Sequence, residues 1–236
     1  MEYQEHNATT SGKDSAGTPE DLPLPIELSL DGGTREGKPL TFSKTLRLLP
    51  GKRLVGSGSW GSTPVLIKLF YGRNPEKYWR REDRGSRILQ SSPAAAPKLL
   101  HSGQVPGEDW FIVILEWVDE AQTLDQSWSE APDDDSREQL VHQLLEHVAD
   151  NHRSGVLQND MHFSNFLLAK GVIYSIDGAQ VREINQLRKS QAFRNLAQLF
   201  AALPLHMQPK IPRLYQHYQR TLGALVGHAP SQEILN

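Results

Sequence analysis

Short apolar segments separated by glycine- and proline-containing turns occupy residues 41–70. The segments 45–49, 53–55 and 64–70 are divided by Pro50-Gly51-Lys52 and by a glycine-rich stretch. Segments this short, with turn residues between them, are typical of antiparallel strands and leave no room for a helix. The pattern therefore predicts an antiparallel meander near the start of the chain.

Helical signals dominate after this region. Asn74-Pro75-Glu76 combines an N-cap candidate, proline at the first helical position and an acid in the first turn, which predicts a helix to about Leu89. Asp135 and Glu138 have capping-box spacing before a second helix that ends near Gly155. Further predicted elements are strands at 99–100 and 110–116, a hairpin formed by 166–168 and 172–176, and helices at about 191–203 and 212–226.

This order predicts an α+β fold with two lobes. We expect a flexible tail over residues 1–22, which are rich in small, polar and acidic residues. We expect a small antiparallel β lobe with one helix over 23–118, and a shortened, mainly helical lobe over 119–236. A chain of 236 residues fits such a single two-lobed unit.

Composition excludes several classes of function. With 25 Lys and Arg against 28 Asp and Glu, the net charge of −3 excludes a strongly basic nucleic-acid binder or a polybasic membrane anchor. The absence of cysteine removes disulfides, zinc–thiolate sites and thiol nucleophiles. No apolar run approaches the roughly 18 residues that span a bilayer, and the first residues lack the features of a signal peptide. We therefore expect a cytoplasmic location.

Three oxygen-bearing side chains follow the second predicted helix in a fixed order. Asp160 is followed by Asn165 five residues later, and Asp177-Gly178 comes after the predicted hairpin. Phosphoryl transfer by a kinase-like site uses one carboxylate to orient the acceptor hydroxyl and accept its proton. An amide oxygen and a second carboxylate bind Mg²⁺, which bridges the ATP phosphates. Any one acid is more often a solvated loop residue, so the prediction depends on the ordered trio.

An upstream lysine and glutamate complete this pattern. Val65-Leu66-Ile67-Lys68 resembles the V-A-I-K strand motif, and Glu82 lies inside the following predicted helix. A lysine on a central strand can pair with a glutamate on the neighbouring helix and then contact the α- and β-phosphates. A lone strand lysine is usually a surface residue, so this prediction depends on Glu82 and the downstream trio.

Two segments could cover the phosphates. Gly56–Gly61 matches G-x-G-x-x-G, but a phosphate-covering loop must be separated from the lysine by a full strand and a turn. Lys68 comes only seven positions after Gly61, whereas Pro50-Gly51-Lys52 lies about one strand and a turn earlier. We therefore expect the backbone amides of Gly51 and Lys52 to approach the phosphates, and the glycine run to end the second strand.

An apolar strand runs into the predicted connector between the lobes. Phe111–Leu115 precedes Glu116-Trp117-Val118. In a two-lobed kinase this connector receives the adenine edge through backbone groups, so Glu116 and Val118 are the candidates. Most side chains of the strand belong to the core in either case.

These residues together resemble the bacterial lipopolysaccharide core kinases, the heptose/Kdo kinase group of the protein-kinase-like superfamily, including its toluene-tolerance branch. The resemblance spans about residues 46–203 and implies a protein-kinase-like, two-lobed fold. The matching segments are Arg53-Leu54-Val55-Gly56, Leu66-Ile67-Lys68-Leu69-Phe70, Arg80-Arg81-Glu82, Leu115-Glu116, Asn159 to Asn165, Ile173 to Ala179, and Arg194-Asn195-Leu196-Ala197-Gln198-Leu199.

The resemblance implies a role for each matched residue. It assigns the catalytic base to Asp160, the Mg²⁺ ligands to Asn165 and Asp177, and the ATP-binding lysine and its partner to Lys68 and Glu82. Three positions depart from the family pattern: Gln158 in place of histidine, Ala179 in a D-G-A sequence, and Asn195 in place of the aspartate that braces the catalytic loop in many relatives.

The acceptor is predicted from what the chain lacks. Only some fourteen residues separate Asp177 from the next predicted helix, and the A-P-E motif that ends a peptide-binding activation segment is absent. This favours a small or saccharide hydroxyl, and the resemblance implies a heptose or Kdo sugar of the lipopolysaccharide core, with peripheral contact at the inner membrane. Two alternatives remain: a pseudokinase that acts as a scaffold, and a small-molecule phosphotransferase of the aminoglycoside or choline type.

Overall fold

The computed structural model describes residues 18–30, 38–185 and 187–224. The strands are β1 Ile26–Leu28, β2 Leu40–Leu49, β3 Arg53–Trp60, β4 Thr63–Phe70, β5 Leu99–Gln104, β6 Phe111–Glu116, β7 Gln122–Thr123, β8 Val156–Gln158, β9 Phe166–Ala169, β10 Val172–Ser175 and β11 Val181–Glu183. The α-helices are α1 Pro75–Ser91, α2 Leu124–Glu130, α3 Asp134–Arg153, α4 Lys189–Ala201 and α5 Ile211–Ala224.

The first half of the chain forms an antiparallel sheet in the order β1-β2-β3-β4-β6-β5. Its strands β2, β3 and β4 are the predicted meander, which is confirmed. The sheet is held by a core that includes Phe42, Ile67 and Ile112, none of which is exposed to solvent. This sheet places β4, which carries Lys68, between β3 and β6.

The glycine run has a packing role within β3. A Cβ atom at Gly58 would lie 1.9 Å from the carbonyl oxygen of Thr41, and one at Gly56 would lie 2.2 Å from the carbonyl oxygen of Lys44. The register of β2 against β3 shifts at both places, so the backbones approach closely there. The prediction that this run ends the second strand is confirmed, since β3 ends at Trp60 and a turn follows.

The second half of the chain is mainly helical around one apolar core. Helix α3 supplies Val141, Leu144 and Leu145, which pack with Leu196 from α4 and Leu214 from α5. The start of α3 differs from the prediction. Its N-cap is Asp133, whose carboxylate accepts a hydrogen bond from the Ser136 amide at 2.8 Å.

The predicted capping box of Asp135 and Glu138 is therefore wrong, because both residues already lie inside the helix. Glu138 instead accepts a bond from Lys210 Nζ at 2.7 Å and so ties α3 to the segment before α5. The first helix begins at Pro75 as predicted, but Asn74 adopts a left-handed conformation and its side chain makes no capping hydrogen bond.

Four short strands and one short helix were not predicted from the sequence. They are β1, β7, β8, β11 and α2, each of seven residues or fewer, and a segment this short shows no clear periodicity. Among them, β8 and β11 matter most for the site. Their pairing sets Gln158 opposite Val181, and so joins the segment before Asp160 to the segment after Asp177.

The mixed architecture agrees with the predicted α+β fold class, with an antiparallel sheet followed by helices. Residues 1–17 of the predicted tail, and residues 225–226 of the last predicted helix, lie outside the described residues. Residues 18–21 form a turn in which the Asp21 amide donates to the carbonyl oxygen of Thr18. Within the described ranges, no helix combines the length and apolar character needed to cross a bilayer.

Candidate functional site

A buried ion pair joins the sheet to helix α1. Lys68 lies on β4 opposite Val113 of β6, and its ammonium forms an ion pair with the carboxylate of Glu82, which is fully buried. Lys68 Nζ also donates to the carbonyl oxygen of Ile176 at 2.9 Å. Two buried opposite charges must stay paired, because an unpaired charge in such surroundings is strongly destabilising.

Glu82 makes further contacts that orient the segment after β10. The amide of Gly178 donates to Glu82 Oε1 at 3.3 Å. Arg53 Nη1 lies 3.9 Å from Glu82 Oε2. Sequence reasoning did not select Arg53; its position at the start of β3, next to the predicted phosphate-covering turn, was the signal that could have identified it.

Two glycines allow α1 and the Asp177 segment to touch backbone to backbone. A Cβ atom at Gly85 would lie 1.7 Å from the carbonyl oxygen of Gly178, and one at Gly178 would lie 2.7 Å from the carbonyl oxygen of Glu82. No side chain fits between them. The glycine of the Asp177-Gly178 pair is therefore required by the packing, and it fixes Asp177 beside the end of the Lys68–Glu82 pair.

Asp177 and Asn165 offer oxygen atoms on one side of the site. Asp177 Oδ1 accepts a hydrogen bond from the Ala179 amide at 3.1 Å, which leaves Oδ2 for another partner. Asn165 is buried, and its Nδ2 donates to the carbonyl oxygen of Asp160 at 3.2 Å, so its Oδ1 remains an acceptor. The Ile176 amide donates to the Asn165 carbonyl oxygen at 3.1 Å and holds the two segments together.

Asp160 lies at the edge of this group. Its side chain is about one third exposed, and its Oδ1 lies 3.5 Å from Nε2 of His162. It does not line the main cavity, whereas Asn165 and Asp177 do. The structure therefore brings Asn165, Asp177, Lys68 and Glu82 together, and joins Asp160 to them through its backbone carbonyl.

A hydrogen-bonded chain braces the segment before Asp160. Asn195 Nδ2 donates to the carbonyl oxygen of Gln158 at 2.5 Å, and Asn195 Oδ1 lies 3.0 Å from His152 Nε2. His152 Nδ1 is 2.7 Å from the Tyr218 hydroxyl. Burial lowers the pKa of His152 to about 4, so the ring is neutral and donates from Nε2 to the asparagine.

Asn195 is thus suited to its position. The group that it holds is a carbonyl oxygen, which needs a donor, and an aspartate in its usual charged form has none. Gln158 is held on its side chain as well, because the Ser175 hydroxyl donates to Gln158 Oε1 at 3.1 Å. Two of the three departures, Asn195 and Gln158, therefore have hydrogen-bonding partners, although Gln158 Nε2 is buried and has none among the described residues.

A cavity of about 520 Å³ lies between the sheet and the helical half. Lys68 and Asp177 lie in its wall together with Glu116 and Val118, the residues predicted to face an adenine. Its other lining residues include Leu46, Val55, Leu66, Pro97, Trp117 and Leu167. A pocket of several hundred cubic ångströms with an apolar wall and a few charged groups at one end has the form of a small-molecule site.

The predicted phosphate-covering turn has partners within the chain. The Gly51 amide donates to the Glu20 carboxylate at 3.3 Å, and the Lys52 amide donates to the Leu49 carbonyl oxygen at 3.1 Å. Lys52 Nζ lies 4.2 Å from the centre of the Tyr78 ring. Contact between the Gly51 amide and a phosphate remains a prediction. It requires the hydrogen bond between this amide and the Glu20 carboxylate to break.

The sequence matches no family model and no curated protein. Among solved structures, one described as WaaP in complex with acyl carrier protein aligns with a TM-score of 0.56 and 20% identity, covering 76% of this chain and 77% of that chain. The fold is similar to that of WaaP. The likeness agrees with the kinase-like fold predicted from the sequence.

The oxygen atoms present suit a hard divalent cation. Mg²⁺ is usually held by one or two carboxylates together with substrate phosphates and water, and Asn165 and Asp177 supply an amide and a carboxylate oxygen. Within the described ranges, no group of three or more His, Cys, Asp or Glu side chains is placed to hold a metal ion. Asn165 and Asp177 both line the cavity of about 520 Å³.

Proposed function

We propose that the protein is a kinase that uses ATP and Mg²⁺ to phosphorylate an alcohol group. The observation that carries the proposal is the position of the buried Lys68–Glu82 pair. The Lys68 ammonium donates to the carbonyl oxygen of Ile176, directly before Asp177, at the polar end of a nucleotide-sized cavity. Phosphoryl transfer requires a cationic side chain on one side of the cleft and oxygen ligands for Mg²⁺ on the other side.

Each residue of the site has a role in this proposal. Lys68 contacts the α- and β-phosphates, and Glu82 fixes the direction of its ammonium. Glu116 and Val118 receive the adenine edge through backbone groups, and the turn at Gly51 and Lys52 covers the phosphates. These assignments place the base at the apolar end of the cavity and the phosphates at the charged end.

Asn165 and Asp177 would hold Mg²⁺, which when bound neutralises charge on the phosphate oxygens. The free Asp177 Oδ2 and Asn165 Oδ1 are the atoms available for this purpose. Asp160 orients the acceptor hydroxyl and accepts its proton. Its partial exposure suits a group that must meet an incoming acceptor from solvent.

The proposed acceptor is a sugar hydroxyl of the lipopolysaccharide inner core, a heptose or Kdo. The sequence resemblance and the fold likeness to WaaP support this substrate class. Between Asp177 and the start of α4 at Lys189, the described residues form only a short 3-10 helix and β11, which offers little surface for a peptide. We propose a cytoplasmic enzyme of two lobes, 23–118 and 119–236, that meets its acceptor peripherally at the inner membrane.

The decisive experiment is transfer of labelled phosphate from ATP to purified lipopolysaccharide, with free sugars and a generic protein assayed in parallel. The proposal predicts label in lipopolysaccharide, dependence on Mg²⁺, and loss of transfer by at least a hundredfold in Asp160→Asn with nucleotide affinity retained. Asp119→Asn is the matched control, since it makes the same change at an exposed acid outside the cavity.

The other outcomes separate the alternatives. Label in free aminoglycoside or choline instead of lipopolysaccharide would support a small-molecule phosphotransferase. No turnover, together with no change in melting temperature on addition of ATP and Mg²⁺, would support a scaffold. Transfer at the native rate by Asp160→Asn would remove that residue from its role.

Acyl carrier protein is a candidate partner because the similar WaaP structure is a complex with it. Coexpression of this chain with an affinity-tagged acyl carrier protein tests the proposal. Recovery of a stoichiometric complex after size-exclusion chromatography would support the partnership, and separate elution of the two proteins would oppose it.

A further inference from the structure

A second, smaller cavity lies beside Asp177 on the side of helix α1. It has a volume of about 170 Å³, and its wall combines the turn before β3, the outer face of α1 and the segment after Asp177. The lining residues are Leu49, Lys52, Arg53, Phe70, Tyr78, Arg81, Asp177, Ala179 and Gln180. This volume suits one phosphate or carboxylate group, and it is too small for a nucleotide.

The wall of this cavity has an excess of positive charge. Lys52, Arg53 and Arg81 contribute three cations, and Asp177 is the one acid among the lining residues. Within the described residues, neither Lys52 nor Arg81 forms an ion pair with a carboxylate. Cations that line one small cavity repel one another, and an anion bound in that cavity would offset the repulsion.

Arg53 adds an unsatisfied donor. Its Nε atom is buried and has no hydrogen-bond partner among the described residues, and its Nη1 is only at long range from Glu82, at 3.9 Å. A buried donor without a partner is costly, since it has lost water and gained nothing in return. The planar guanidinium suits an oxyanion, because it donates two parallel hydrogen bonds to a phosphate or a carboxylate.

Arg53 and Asp177 line both cavities, so the two sites share a wall. We propose that the smaller cavity binds an anionic group, a phosphate or a carboxylate, that belongs to the acceptor. This inference rests on the proposed function and adds a determinant of acceptor specificity to it. The favoured acceptor is a sugar that already carries negative charge near the hydroxyl to be phosphorylated.

The walls of the two cavities differ, although Lys52, from the turn proposed to cover the nucleotide phosphates, lines the small one. Lys68 and Asn165 line the large cavity and are absent from the wall of the small one, whereas Tyr78 and Arg81 on α1 line only the small one. Arg81 is exposed, so the small cavity is open to a ligand that arrives from solvent. An anion here would neighbour the transferred phosphate across Asp177 without occupying its place.

Calorimetric titration with inorganic phosphate tests the site directly. The titration is done on the free protein, on protein saturated with ADP and Mg²⁺, and on protein saturated with a non-hydrolysable ATP analogue and Mg²⁺. We expect phosphate to bind in all three states with a Kd that differs by less than threefold. Arg81→Gln should weaken binding at least fivefold, and Arg84→Gln, an exposed change on the same helix outside the cavity, should leave it unchanged.

Three outcomes would overturn the proposal. The first is no phosphate binding at millimolar concentration, and the second is equal binding by the native protein and Arg81→Gln. The third is loss of phosphate binding in the presence of the ATP analogue but not of ADP. That result would show that the cavity binds the γ-phosphate of ATP. A failure of the proposed function looks different, because phosphate would then bind to a protein that takes up no nucleotide.

Steady-state kinetics supply the second measurement. With lipopolysaccharide as acceptor, Arg81→Gln should raise the KM for the acceptor about tenfold and leave the KM for ATP within twofold. Lipopolysaccharide stripped of phosphate by hydrofluoric acid should show a high KM with the native protein and no further rise with the variant. A rise in the KM for ATP alone would contradict the assignment to the acceptor.

Discussion

The Lys68 ammonium donates a hydrogen bond to the backbone carbonyl of Ile176 at 2.9 Å, across 108 positions of sequence. The same ammonium is paired with Glu82 on helix α1. One side chain of the sheet therefore holds both the helix and the segment that presents Asp177. A disturbance of Lys68 changes the arrangement of the protein as well as its contact with a nucleotide.

Replacing Lys68 alone should destabilise the fold. Lys68→Met leaves the carboxylate of Glu82 buried without its cation, and loss of one partner of such a pair costs about 3 to 5 kcal/mol. The double variant Lys68→Met with Glu82→Gln removes both charges and should recover at least half of that loss. Urea denaturation measures both values, and Lys44→Met at an exposed position of β2 is the control. Equal stability of the single and double variants would contradict a buried ion pair.

The contact between helix α1 and the Asp177 segment should not tolerate a methyl group. Gly178→Ala places a Cβ atom 2.7 Å from two backbone atoms of α1, so the segment must move, at a cost of about 3 kcal/mol or more. Gly103→Ala is the matched control, because its Cβ atom would make ordinary contact at 3.4 Å. Thermal denaturation should show a large decrease in Tm for the first variant and almost none for the second. A native Tm for Gly178→Ala would show that the contact is looser than described.

Asn195→Asp, which introduces the aspartate of the family pattern that the sequence resembles, should be harmful here. The new carboxylate would face the carbonyl oxygen of Gln158 without a proton to donate, at a cost of about 2 to 4 kcal/mol at neutral pH. The difference in stability between this variant and the native protein should become smaller as the pH falls and the carboxyl gains a proton. Gln198→Glu makes the same chemical change at an exposed site of α4 and should be neutral in urea denaturation. An unaffected Asn195→Asp variant would contradict the described donor role.

Stability should fall as the pH is lowered from 6.5 towards 4. Burial lowers the pKa of both His147 and His152 to about 4, so the unfolded chain binds protons in this window while the folded chain does not. The stabilisation is complete above the unfolded pKa and is lost below the folded one, at roughly 3 kcal/mol per histidine. Urea midpoints at pH 7, 6 and 5 measure the effect, and His147→Gln should reduce the slope. A flat profile between pH 7 and 5 would oppose buried neutral histidines.

Removing the Glu20 carboxylate should strengthen nucleotide binding. Glu20 accepts hydrogen bonds from the Tyr71 hydroxyl at 2.6 Å and from the Gly51 amide, and its charge lies on the turn proposed to cover the phosphates. Both Glu20→Ala and Glu20→Gln should lower the Kd for ATP and Mg²⁺ about two- to fivefold, since a like charge is removed. Calorimetry measures the Kd, and Glu27→Gln on β1 is the control. Weaker or unchanged binding in both variants would oppose the proposed covering role.

The longer elements of the fold could be read from the sequence, and the short ones could not. The meander and helices α1 and α3 have clear periodicity, with turn residues such as Pro50 and Gly155 at their ends. Strands β8 and β11 have three residues each and form only because they pair with each other. A local pattern contains no information about such a pairing. The cap of α3 was misplaced for a similar reason, because three consecutive aspartates offer three starting points.

The sequence predicted which residues would lie together at the candidate site, apart from Asp160, but not the contacts that hold them. The spacing of Asp160, Asn165 and Asp177 follows from a known order of roles, and Lys68 and Glu82 follow from strand and helix positions. Arg53 and Glu20 were missed, since their importance depends on contacts with residues distant in sequence. Asn195 was interpreted only as a departure from the family pattern, because a sequence does not show that its partner is a backbone carbonyl oxygen.

The touching backbones of Gly85 and Gly178 also bear on how the molecule could be inhibited. A compound that needs α1 to move outward requires a gap behind the helix. Here the two backbone segments already meet with no side chain between them, so opening such a gap would disrupt the packing itself. A ligand of the neighbouring cavity would therefore have to bind without displacing α1.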